Sequence, residues 1–172
     1  MTRRLLAVAV CMAFAASPAL AAKPFTPKTV AGTWTGTWSN QTFGSTGTIT
    51  LSGKTLKKGK AFQFNVDLGG NALGCTDPAA EHTPTIKKGK GDNHWNAKGF
   101  RLHLSSQAYG TFSVKYVQKT HKLTGSGGNP PCAPGVTWKL DGKLTKTSFT
   151  GSVTISLPGN QTATSTLTAN RQ

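Results

Sequence analysis

The run Gly32-Thr33-Trp34-Thr35-Gly36-Thr37-Trp38 constrains the fold more than any other part of this chain. Successive side chains of a β-strand point to opposite faces, so Trp34, Gly36 and Trp38 share one face and Thr33, Thr35 and Thr37 the other. Two indoles flanking a glycine suit a tightly curved sheet wrapped around an interior, and the threonines suit a wet exterior.

The same alternation recurs along the chain. Phe62, Phe64, Val66 and Leu68 oppose Gln63, Asn65 and Asp67, and Phe100, Leu102 and Leu104 oppose Arg101 and His103. Strands are expected over 33–39, 46–52, 61–68, 100–105, 111–118, 121–126, 136–144, 149–156 and 162–169, with at best a short one over 83–87. A bend or bulge is expected at Asp141-Gly142, and Trp95 falls in a polar, loop-like stretch. Short links imply antiparallel meander pairing, either a single up-and-down β-barrel of about eight strands or a β-sandwich. The barrel is preferred because closure removes exposed edges.

Residues 1–21 read as a secretory signal, with Arg3 and Arg4 before an apolar run and Ala19-Leu20-Ala21 at the cleavage site. Residues 22–30 then form an extended lead-in and 31–172 the β domain. The apolar run is too short for a transmembrane segment, and nothing later is apolar enough to span. The chain is expected to be secreted or periplasmic. Beyond the signal two cysteines remain, Cys75 and Cys132, and an even count in an exported chain favours a disulfide.

Removing Arg3 and Arg4 from the twenty Lys and Arg leaves eighteen against five acids, a net charge of +13. Such an excess attracts polyanions or an anionic cell surface, and it also keeps an exported protein soluble. Lys57, Lys58 and Lys60 cluster in one turn and Lys87, Lys88 and Lys90 in another, each within a Lys-Lys-Gly-Lys tetrapeptide. Two such tips reach one anion together if they lie at the same end of the fold. Lysine supplies point charge rather than bidentate capture, and no recognised nucleic-acid motif occurs, so sequence-specific nucleic-acid reading is not expected.

Little here points to catalysis. The five acids are scattered, the four histidines stand apart, and neither a Gly-x-Ser-x-Gly nor a His-Glu-x-x-His motif is present. No metal, no cofactor and no enzymatic activity are expected.

Gly32-Thr33-Trp34 and Gly36-Thr37-Trp38 resemble the Gly-x-Trp of the first strand in calycin barrels, the lipocalins and avidins. In those families an arginine after the last strand packs over that tryptophan, which implies the part for Arg171. Gly36-Thr37-Trp38-Ser39-Asn40-Gln41 followed by Gly44-Ser45-Thr46 is similar to the first hairpin of the avidin–streptavidin family, with one residue inserted. The likeness implies that Asn40 and Ser45 meet the ureido oxygen of a biotin-type ligand. The family's later tyrosine, its run of pocket tryptophans and its near-terminal aspartate find no match here.

The expectation is therefore an exported, non-enzymatic barrel that binds something. One version takes a small ligand inside, with Trp34, Trp38, Asn40, Ser45 and Trp138 as candidate contacts. Another takes a polyanion on the lysine-bearing turns. An inhibitor of an exported enzyme, or another protein-interaction barrel, is the alternative.

Overall fold

A computed structural model describes residues 23–72 and 75–172. The secretory signal expected over 1–21 lies outside the described residues. Among the described residues the chain forms fourteen strands: β1 Gly32–Asn40, β2 Thr46–Leu56, β3 Ala61–Leu68, β4 Asn71–Ala72, β5 Cys75–Thr76, β6 Glu81–His82, β7 Ile86–Lys88, β8 His94–Asn96, β9 Gly99–Ser106, β10 Gly110–Val117, β11 Lys122–Gly128, β12 Thr137–Leu144, β13 Ser148–Leu157 and β14 Gln161–Arg171. Strands β1–β3 and β7–β14 form a closed ring of eleven. The ring closes twice over distance in sequence, by β14 on β1 and by β7 on β3. It is a barrel and not a sandwich, with more strands than the eight or so expected.

The extra strands come from one region. Glu81 to Lys88 runs antiparallel to β3 as an interrupted strand, β6 pairing with its upper part and β7 with its lower part. Pro84 breaks the ladder because it has no N–H to donate. Buried Thr83 repairs the gap, since its hydroxyl accepts from the Phe64 N–H at 3.0 Å and its carbonyl from Gln63 Nε2 at 2.7 Å. The chain then loops over the outside through 89–93 and re-enters as β8, parallel to β7. This parallel pair departs from the expected meander. Trp95, expected in a loop, is the central residue of β8 and is buried. A three-residue strand is too short to display alternation, which is why β8 does not announce itself in the sequence and β7 shows only as the short strand expected over 83–87.

Elsewhere the alternation places side chains as expected. Trp34, Phe62, Phe100, Leu102, Leu104, Phe112, Trp138 and Phe149 fill the interior, while threonines, serines and lysines face out. Residues 137–144 pair without interruption to β11 and β13, so the expected bend at Asp141-Gly142 is absent. Gly142 instead makes room for the Phe149 ring, because a Cβ there would stand 2.7 Å from it. Gly36, between the two indoles, has its own reason, since a Cβ would sit 1.8 Å from the Thr168 carbonyl oxygen of β14.

The lead-in is not simply extended. Pro27–Thr29 forms a 3-10 turn, and Phe25 is almost fully buried against Phe62, Trp95, Phe100 and Tyr116. It plugs the barrel at the end where β1 begins, here called the basal end. The opposite end is clipped by Cys75–Cys132, whose Cα atoms are 5.5 Å apart. The bridge ties Cys75, the first residue of β5, to the loop between β11 and β12.

Candidate functional site

The tryptophans proposed as ligand contacts are occupied within the fold. Trp34 donates from Nε1 to the Val30 carbonyl at 3.2 Å, and Trp38 donates to the Gly69 carbonyl at 3.0 Å. Trp138 packs on Phe112, ring centroids 5.7 Å apart, and its buried N–H has no partner among the described residues. Asn40 is buried, and its side-chain carbonyl accepts from the Thr42 and Phe43 N–H groups at 2.9 and 3.0 Å. Its backbone N–H donates to the Ser45 carbonyl at 2.7 Å. Asn40 and Ser45 thus meet, but across a turn that the amide itself stabilises by the ordinary Asx mechanism. Arg171 stands as the resemblance implies, its guanidinium carbon 6.0 Å from the Trp34 ring centroid. The arginine, on the last residue of β14, closes over the basal end and reaches the Lys28 carbonyl at 3.5 Å.

The lysine turns, by contrast, come together. Ala61 pairs with Lys87 across β3 and β7, and the Lys60 carbonyl accepts both the Lys88 N–H at 3.0 Å and the Trp95 indole N–H at 3.1 Å. The Lys88 ammonium lies 5.8 Å from the Trp95 ring centroid. Such a contact contributes about 0.5–1 kcal/mol at an exposed site. Trp95 is therefore the fastener between the two Lys-Lys-Gly-Lys turns. Lys57 and Lys58 adopt left-handed backbone, φ 48° and 53°, a region where non-glycine residues are strained by about 1 kcal/mol or more.

The wider charge distribution follows from topology. Strands that alternate up and down send alternate turns to opposite ends. The basal turns, β2–β3, β8–β9, β10–β11 and β12–β13, carry Lys57, Lys98, Lys119 and Lys146 among others, and the lead-in carries Lys23 and Lys28. The turns at the disulfide end, residues 41–45, 69–80, 107–109, 129–136 and 158–160, contain no Lys or Arg at all. Asp67, Asp77 and Glu81 lie at that end. The cations on the strands repeat the bias: Lys54, Arg101, Lys115, Lys122 and Lys143 are all within three residues of the basal end of their strands, and Lys139 is the exception.

The acids are dispersed, and three of the five are engaged. Glu81 accepts from the Ser106 hydroxyl, Asp77 accepts from the Gly70 N–H at 2.6 Å, and Asp141 pairs with Lys122 at 3.0 Å on an exposed wall. Burial pushes the Tyr109 and Tyr116 hydroxyls above the usual tyrosine range, with nearby Asp67 and Glu81 adding to the effect at Tyr109. Among the described residues no three His, Cys, Asp or Glu side chains gather as a metal site would require.

Two open depressions of about 390 and 360 Å³ lie on the outer wall over β9–β13, not in the interior. The first is lined by Asp92, Arg101, His103, Ser113 and Lys115 among others. His103 Nδ1 lies 2.9 Å from Ser113 Oγ, a pairing that sequence reading missed and that strand register would have revealed. A working nucleophile–base pair needs a third group orienting the imidazole, and none bonds this ring among the described residues. Set against known proteins, the chain matches no family model and no curated sequence.

Proposed function

We propose that this is an exported, non-enzymatic barrel that binds polyanions through its basal end. The observation that carries the reading is the segregation of lysine: every basal turn bears one and no turn at the disulfide end does. Charge kept for solubility alone has no reason to avoid one end. The filled interior supports the same reading, because it leaves the surface as the place of selection. The Arg171–Trp34 contact supports a calycin-like description, although eleven strands set this barrel apart from eight-stranded ones.

The test is retention of the mature chain on immobilised heparin across a salt gradient. Replacing Lys57, Lys58, Lys60, Lys87 and Lys88 by Gln should move elution to lower salt and flatten the salt dependence by roughly one power of salt concentration per engaged lysine. Retention that ignores salt, or a variant that elutes with the parent, refutes the reading. A second reading, a protein-interaction barrel such as an inhibitor of an exported enzyme, is favoured by Phe43. This ring is 61% exposed on the β1–β2 turn, at the end away from the lysines. Phe43→Ser should then abolish capture of a partner and leave heparin retention unchanged.

A further inference from the structure

The distribution of charge around the basal end, not only its amount, bears on the shape of the partner. The cations do not form a stripe. Passing around the barrel, they come from the lead-in, from the β2–β3 turn, from β7, from the β8–β9 turn, from the β10–β11 turn and from the β12–β13 turn, and Arg171 returns the circuit to β1. A linear polymer crossing this end would touch only part of such a ring. A plane touches all of it at once.

We infer that the basal end docks flat on a layer of anionic phosphate headgroups, with the barrel axis upright and the disulfide end facing away. This rests on the anion-binding reading above and narrows it to one partner geometry. Three further features agree. The base is solid, since Phe25 and its 3-10 turn seal it and the aromatic cluster behind holds the turns that bear the lysines. The barrel is inside-out relative to one that spans a bilayer: its aromatics face in, while its wall carries threonine, serine and lysine where a spanning barrel carries an apolar band. It would therefore rest on the headgroups without entering hydrocarbon. Finally, Asp67, Asp77 and Glu81 at the far end give the molecule a charge axis, and the field of an anionic surface repels that end while attracting the base. Lysine suits this role, because a diffuse layer of phosphates asks for point charges rather than forked recognition.

Each lysine near such a surface strengthens partition by about fivefold. The mature chain should co-sediment with vesicles of mixed phosphatidylglycerol and phosphatidylcholine at low salt and stay in solution with phosphatidylcholine alone. Lys57→Gln, Lys60→Gln, Lys87→Gln and Lys98→Gln combined should cut partition several hundredfold, whereas Lys139→Gln on the wall should cost less than fivefold. Orientation is read by energy transfer to a headgroup-labelled lipid from dye at Thr120→Cys, in a basal turn, or Ser45→Cys, in the opposite one. Transfer should be much stronger from position 120. Retention on heparin without vesicle binding, or vesicle binding with equal transfer from both positions, overturns the flat-docking inference and leaves the anion reading intact. Failure to bind either support removes both.

Discussion

Opening the Cys75–Cys132 bridge tests how the barrel is stabilised at the end whose turns carry no lysine. The two cysteines are 57 residues apart in sequence, and their Cα separation of 5.5 Å falls within the range that a disulfide spans without backbone movement. In the chain-entropy treatment, closing a loop of that length lowers the entropy of the unfolded chain by about 14 cal/mol/K, or about 4 kcal/mol at 25 °C. Small domains have only about 5–15 kcal/mol in total, so the loss is a large share of stability. For a domain of this size each kcal/mol moves Tm by about 2–4 °C, which puts the expected fall near 8–16 °C. The assay is urea and thermal denaturation followed by tryptophan fluorescence on three samples: the oxidised chain, the same chain reduced, and Cys75→Ser/Cys132→Ser. Reduced chain and double variant should agree, which separates the cross-link from any cost of burying a serine hydroxyl at position 75. Because the bridge and the lysines sit at opposite ends, heparin retention of the folded variant should match the parent. A fall in Tm below about 3 °C would refute the argument, since it would show that the bridge contributes little beyond what the paired loops already restrict.

Other perturbations probe the base and the interior. Phe25→Ala removes a ring packed against four aromatics and should cost about 3–5 kcal/mol in urea denaturation, an effect no merely extended leader would show. Lys58→Gly relieves left-handed strain and should leave stability unchanged or raise it by up to about 1 kcal/mol, while weakening anion binding; a clear loss of stability would refute the strain argument. Tyr109 and Tyr116 both hold their protons more tightly when folded than when unfolded. The unfolded chain then releases those protons first, so stability is fully present below about pH 10 and falls as pH rises beyond it. Melting curves from pH 8 to 11 should show that decline, and Tyr116→Phe should lessen it.

What the sequence disclosed, and what it withheld, has a common physical origin. Long strands with one face inside carry a period of two, so Phe62 to Leu68 and Phe100 to Leu104 could be assigned an interior face from the residues alone. The segments that misled are those where tertiary contacts replace the local pattern. Trp95 looked solvated because its neighbours are polar, yet its indole N–H is satisfied by Lys60, distant in sequence. Phe25 looked like part of a linker because nothing local signals that it fills the barrel's base. Gly142 looked like a bend because the space it leaves is taken by Phe149, on the next strand. The candidate site was half legible. The two Lys-Lys-Gly-Lys turns stood out, but their meeting depends on β7, which showed only as a short strand over 83–87, and on β8, which did not show. The polarity of the whole molecule was written in the turns, lysine in the basal ones and none in those at the disulfide end, and it becomes readable only once each turn is assigned to an end.

The pairing of β14 with β1 means that the ring cannot close before β14 is in place. Trp34 lies opposite Arg171, and the Gln172 N–H donates to the Thr33 carbonyl, so the cylinder is sealed by a strand far from β1 in sequence. Until it arrives, the opening strand has a bare margin that could recruit a neighbouring molecule. Contacts between such remote partners make for slow maturation. A product cut short by a dozen residues would lack its staves' last joint and should clump rather than fold.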